Sequence, residues 1–164
     1  MPESSMHFEN GIPSAYQTRR GSRLTPQASG RKGPSPVRCP VVLCVDDAEE
    51  ILGFYQNLLS KYGYAIIPAE DGTEALELFQ STPQIDAAIL DYHMPGMTGL
   101  ELAFRLKGLD PDLPIVMVAG NGPRLEEMAP FVDAAIPKGV SIREITDQLE
   151  LLLEQRAART QLIS

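Results

Sequence analysis

The chain has 164 residues, room for one domain with a modest extension; tryptophan is absent and aromatics make up only 6%, so any core is aliphatic. Its net charge of −8 is unevenly divided: residues 1–40 hold six Lys or Arg against two Glu, while residues 41–164 hold eight against twenty Asp or Glu. An acidic folded part argues against nucleic acid as its main partner, and no apolar run reaches the roughly 18 residues that a membrane span needs.

Residues 1–40 are rich in Pro, Ser, Gly and Arg and show no hydrophobic period. They offer too little apolar surface to offset ordering entropy, and read as a disordered basic tail. A basic arm touching an anionic surface is the functional alternative, but the charges are scattered rather than clustered. Arg19-Arg20 suggests twin-arginine export, yet the residues that follow are Gly21, Ser22 and Arg23 instead of an apolar segment. Two cysteines, Cys39 and Cys44, are too few for a disulfide framework or a zinc site. Cys44 lies inside an apolar run, where it packs as a small hydrophobe. A reducing cytoplasm is the compartment this composition suggests.

From Val41 onward, short apolar runs alternate with helical patterns. Val41 to Val45 reads as a strand buried on both faces. Ile51, Leu52, Tyr55, Leu58, Leu59 and Tyr62 then share one helical face. Tyr64 to Pro68 is a second strand, and Asp71 with Glu74 caps a helix through Ala75, Leu76 and Phe79. Ala87 to Leu90 is a third strand. Thr98 with Glu101 opens a helix that turns Leu102, Ala103 and Leu106 inward. Ile115 to Val118 is a fourth strand, with Pro114 at its start. A short helix between Arg124 and Ala129 stops at Pro130. Ala134 to Ile136 is a short fifth strand. Ser141 with Glu144 caps a last helix whose inward face is Ile142, Ile145, Leu149 and Leu152. The folded part is expected over 41–159, with 160–164 as a terminal end.

Five strands alternating with five helices predict an α/β fold: one doubly wound, five-stranded parallel sheet with helices on both faces. The flavodoxin-like strand order 2-1-3-4-5 is the common solution at this size. Ligands in such sheets bind beyond the carboxyl ends of the strands, at the switch point. Asp46 and Asp47 follow the first strand and Asp91 follows the third, its neighbour in that order. Three carboxylates in one pocket repel one another, and a hard divalent cation such as Mg2+ removes the conflict. Lys138, at the end of the fifth strand, adds one positive charge for phosphoryl oxygens or for Asp91 itself. A nucleophilic carboxylate, a metal and a cation suffice for phosphoryl transfer. Each residue alone has a bland reading: an Asp pair after a strand is often a helix cap, and a lone Lys is usually solvated surface. The four together, each at the right strand end, favour chemistry.

These residues sit in a recognisable pattern. Val41-Val42-Leu43-Cys44-Val45-Asp46-Asp47 resembles the opening of response-regulator receiver domains. The stretch Asp91-Tyr92-His93-Met94-Pro95-Gly96-Met97-Thr98-Gly99 resembles their Asp-x-x-Met-Pro-x-x-x-Gly phosphoacceptor loop. Glu70 to Leu76 resembles their second helix start, and Pro137-Lys138 their lysine; the likeness covers about residues 41–155. It implies that Asp91 is the phosphoacceptor and Asp47 a direct Mg2+ ligand. Asp46 assists through water, the backbone carbonyl of His93 completes the protein ligands, and Lys138 contacts the phosphoryl group. The donor is a phosphohistidine on a sensor histidine kinase or phosphotransfer protein. The His93 ring itself reads as an exposed imidazole without a catalytic or metal role.

The likeness has gaps. Ala119 stands where the family usually has Thr or Ser, Ala135 where it has an aromatic, and Gly139 where proline follows the lysine. Residues 119–138 are also a few short, which implies a truncated fourth helix. The acidic chemistry is thus kept while the hydroxyl-aromatic switch is missing. The expectation is a stand-alone response regulator that signals by protein-protein contact and is not an enzyme beyond its own phosphoryl transfer and dephosphorylation. The fourth helix, fifth strand and last helix form the usual partner face of the family it resembles, and are the candidates here. The alternative is a degenerate receiver that binds a partner without being phosphorylated. A phosphohydrolase of the haloacid-dehalogenase type is disfavoured, because its Asp-x-Asp pattern follows strand one whereas here the pair is adjacent.

Overall fold

A computed structural model describes residues 8–9, 12–13, 38–121 and 124–163. The chain divides after residue 39 into two units. In the first, Phe8–Glu9 pairs antiparallel with Ile12–Pro13. The expectation of disorder over 1–40 otherwise falls on residues outside those described. The second unit carries β1 Val41–Val45, α1 Glu49–Lys61, β2 Ala65–Ala69, α2 Gly72–Ser81, β3 Ala87–Asp91 and α3 Gly99–Leu109. It continues with β4 Ile115–Ala119, α4 Leu125–Met128, β5 Ala134–Pro137 and α5 Ile142–Ile163. The strands form one sheet in the order β2-β1-β3-β4-β5, every pairing parallel. This is the expected doubly wound arrangement.

The apolar runs explain the layering. Every residue of β1 and β3 is buried, which requires cover on both faces of the sheet. On one face Val42, Cys44, Ile89 and Val116 pack against Leu52, Tyr55 and Leu59 of α1 and Ile145 and Leu149 of α5. On the other, Leu43, Leu90 and Met117 are fully buried together with Leu102 and Leu106 of α3. Burial pushes the thiol of Cys44 well above its usual range, so it is an inert core side chain. β5 alternates instead: Ala134 and Ile136 are buried, Ala135 and Pro137 exposed. It is an edge strand, and the single turn of α4 leaves the Ala135 side open.

Helix starts follow the capping pairs. Thr98 and Glu101 form a reciprocal capping box, with bonds of 3.2 and 2.9 Å. Asp71 Oδ1 accepts from the Glu74 N–H at 2.8 Å, and Ser141 Oγ from the Glu144 N–H at 3.4 Å. The apolar stripe of α1 is narrower than its spacing predicts. Ile51 and Tyr62, at its two ends, are 39% and 52% exposed, because a helix running across a twisted sheet leaves its ends overhanging. α5 continues to Ile163, four residues beyond the expected limit, with Leu162 and Ile163 exposed.

Carboxylates at the amino ends of the strands are consumed by the backbone. Asp86 Oδ2 accepts from the Val41 N–H at 2.7 Å. Asp133 Oδ2 accepts from the Ile115 N–H at 2.9 Å and from Lys107 Nζ at 2.8 Å. Arg156 joins Asp110 Oδ2 at 2.7 Å and the Asp86 carbonyl at 3.0 Å, tying α5 to this edge. Ile115 is fully buried, so its N–H has no water to fall back on. Replacing Asp133 by Ala strands that donor and is expected to cost about 1–3 kcal/mol. Urea denaturation checks this: the midpoint falls, and an unchanged midpoint contradicts the role.

Candidate functional site

The sheet order puts β1 beside β3, and their register pairs Val45 with Leu90. The next residues, Asp46 and Asp91, therefore lie level at the carboxyl edge. Asp46 is 5% and Asp91 2% exposed, and Asp47 is exposed beside them. One oxygen from each of Asp46, Asp47 and Asp91 lies within 4.8 Å of the others. Neither member of the Asp pair caps α1: that helix has Ala48 at its N-cap and no side-chain bond there. Asp46 Oδ1 instead accepts from the Ala48 N–H at 2.9 Å, which holds the turn and leaves Asp47 free of a capping duty.

Lys138 follows β5, two strands from β3, so its side chain must cross the end of β4, roughly 10 Å at the usual strand spacing. It does so: Nζ lies 3.1 Å from Asp91 Oδ1. Its Cδ passes 3.9 Å from where a Cβ at Gly120 would stand, and Ala119 adds little bulk. Gly139, just beyond, has φ +88, a conformation closed to the proline usual at that position. The lysine side chain is 48% exposed, so the pair is a flexible contact rather than a locked one.

The acceptor-like loop is held by backbone bonds. The Tyr92 N–H donates to the Val118 carbonyl at 2.9 Å, the Gly99 N–H to the Tyr92 carbonyl at 3.0 Å, and the His93 N–H to Asp91 Oδ1 at 3.4 Å. A Cβ on Gly99 would overlap the Asp91 backbone carbonyl. Glycine is needed there so that α3 can start hard against the end of β3. The His93 ring, read from sequence as an idle imidazole, has a partner: Nε2 lies 3.3 Å from the Asn121 carbonyl. Its 28-residue separation from Asn121 gave no sequence signal. A recess of about 440 Å³ adjoins the cluster, lined by Asp46, Lys138, Ile51, Phe54, Tyr55 and Val140.

Burial raises the Asp46 carboxyl above its ordinary value of 3.8, with Asp91 and Asp47 adding repulsion; the Ala48 N–H and Lys138 act against the rise. The Tyr55 phenol is pushed up in the same way, mainly by burial, with Cys44, Asp46 and Asp91 adding to it. A carboxyl whose folded pKa is raised destabilises the fold once ionised. Its penalty sets in as pH rises above about 3.8 and is complete once pH has passed the raised value. The three carboxylates are the oxygen donors that a hard dication takes.

Two outcomes follow. Asp46→Asn keeps the oxygen that accepts from Ala48 and removes the charge, so the metal-free protein melts at a higher temperature than wild type at pH 7 and by a smaller margin near pH 4. A lower melting temperature at pH 7 contradicts this. Gly99→Ala forces the α3 start away from Asp91 and costs about 1–3 kcal/mol, read as a lower denaturant midpoint. An unchanged midpoint removes the close-approach argument.

Among the described residues, no helix is long and apolar enough to cross a membrane. Residues 42–150 match the model of the response regulator receiver domain family. Response regulator MprA of Mycobacterium tuberculosis H37Rv is 32% identical over 117 residues, 70% of this chain and 50% of that protein. The chain thus spans about half the length of the curated relatives it matches. Response regulator TrrA of Thermotoga maritima, crystallised in complex with Mg2+-BeF, is 31% identical with a TM-score of 0.64, over 69% of this chain and 98% of that one. The signal receiver domain of an HD domain-containing protein from Pseudomonas fluorescens Pf-5 is 30% identical with a TM-score of 0.67, over 74% and 99%. Sheet order, acidic edge and matched span agree, and the chain belongs to the response regulator receiver domain family.

Proposed function

We propose that this chain accepts a phosphoryl group on Asp91 from a phosphohistidine of a sensor kinase or phosphotransfer protein. The observation that carries the reading is the convergence of Asp46, Asp47 and Asp91 within 4.8 Å, with Lys138 Nζ 3.1 Å from Asp91. Phosphorylation on an aspartate with Mg2+ is general to the receiver family, and the residues here fit that chemistry. Asp47 and Asp91, with the backbone carbonyl of His93, would hold the ion, and Asp46 would assist through water. When bound, Mg2+ supplies positive charge for the oxygens of the transferring group and for the crowded carboxylates.

The chain's own groups do the rest. An Asp91 carboxylate oxygen attacks phosphorus as the P–N bond to the donor imidazole breaks. The bond pair stays on that ring nitrogen, and the imidazole leaves neutral with the proton its other ring nitrogen already carried. Backbone bonds from the Tyr92 and Gly99 N–H groups hold the Asp91 carboxylate in place for attack. Lys138 exchanges its contact with Asp91 Oδ1 for one with a phosphoryl oxygen. Hydrolysis later returns Asp91 and releases inorganic phosphate. The chain catalyses these two steps on itself only, and otherwise acts by protein-protein contact.

Ala119 and Ala135 modify the reading. Neither the hydroxyl nor the aromatic ring of the usual switch is available, so loading Asp91 biases the β4-β5 side less strongly than in most relatives. The same two residues favour a second reading, a degenerate receiver that binds its partner without phosphorylation. Phosphate-affinity gels separate the two. Acetyl phosphate with Mg2+ is expected to retard wild type, and neither Asp91→Asn nor wild type in excess EDTA is retarded. A wild type that never shifts, with acetyl phosphate or with a phosphorylated kinase, supports the second reading.

A further inference from the structure

The His93 imidazole spans the rim of the site. Its backbone N–H faces Asp91 Oδ1 at 3.4 Å, while its ring Nε2 lies 3.3 Å from the Asn121 carbonyl on the segment after β4. A carbonyl only accepts, so Nε2 carries the proton and donates. Tyr92 fixes the ring: the two centroids are 4.8 Å apart with the planes at 90°. The carbonyl of Ala119, at the base of the same segment, accepts from the Lys138 N–H at 3.2 Å. One residue therefore touches the Asp91 carboxylate with its main chain and the β4-α4 segment with its side chain. It does so where Ala119 has no hydroxyl to make such a link.

We propose that His93 is a positioning residue, its ring a strap that couples the Asp91 loop to Gly120 and Asn121 just after β4. The coupling part of the proposal rests on Asp91 being the acceptor. The step is mechanical: a group added to Asp91 shifts the His93 N–H that faces its carboxylate, and the Nε2–Asn121 bond carries that shift to Asn121. Glutamine places its Nε2 at a reach close to that of the imidazole Nε2 and also donates, so His93→Gln preserves the strap, whereas His93→Ala deletes it.

Two measurements on the full chain test this. The first needs no ligand: hydrogen exchange at the amides of Gly120 and Asn121 speeds up several-fold in His93→Ala and returns towards wild type in His93→Gln, while amides of β1 and β2 are unchanged. Equal exchange in wild type and His93→Ala, or failure of His93→Gln to restore it, overturns the strap. The second uses Mg2+ and beryllofluoride with amide-shift mapping. Wild type and His93→Gln shift both at Asp46-Asp47 and at Gly120 and Asn121, and His93→Ala, which keeps the backbone carbonyl, loses only the second set. Retention of the second set in His93→Ala overturns the coupling. No shift at Asp46-Asp47 in any variant sinks the acceptor reading and the coupling with it, while the exchange result still decides whether the ring straps the segment.

Discussion

Two almost fully buried carboxylates and a third exposed one are pressed together at the end of β1 and β3, against a single ammonium group. Two like charges within 4.8 Å of each other repel by at least about 3.5 kcal/mol at an effective dielectric near 20. One lysine, half exposed on a flexible stem, leaves that crowding under-compensated. The sheet imposes it: β1 and β3 are buried on both faces, their register is set by the core, and Asp46 and Asp91 have nowhere else to go. The fold thus stores an electrostatic conflict at one point, and what relieves the conflict also defines the chemistry.

The contrast with the opposite edge is informative. There Asp86 and Asp133 bond strand N–H groups, and Lys107 and Arg156 complete the network. Acidic side chains at the amino edge stabilise the sheet, whereas those at the carboxyl edge are left facing one another. The β4-β5 side is correspondingly spare. α4 has a single turn, Ala135 is exposed, and Ala119 carries no hydroxyl. A side so thinly built has little packing through which to register events at Asp91, which gives weight to the direct link through His93.

Much of this was legible in the residues. Parallel strands buried on both faces read as unbroken apolar runs, so Val41–Val45 and Ile115–Val118 stood out, and the capping pairs Asp71/Glu74 and Thr98/Glu101 marked helix starts. Order 2-1-3 then brought Asp46, Asp47 and Asp91 together by topology alone. What stayed hidden depends on contacts through space. Periodicity placed Ile51 and Tyr62 inward, but it says nothing of where a helix overhangs its sheet. The polar sequence near the C-terminus gave no reason to extend α5 to Ile163. Gly99 looked like one motif position among several until its approach to the Asp91 carbonyl was seen. The His93–Asn121 bond joins two loops that no local pattern connects.

The central claim is that the acidic edge of β1 and β3 is built around one oxygen-bound dication. Crystals grown with Mn2+ in place of Mg2+ test it through anomalous scattering. The account predicts a single peak bounded by Asp47, Asp91 and the His93 carbonyl, with ligand oxygens at the roughly 2.1 Å of an octahedral hard cation. A fully soaked crystal with no peak there, or with its strongest peak at another carboxylate group, would contradict it.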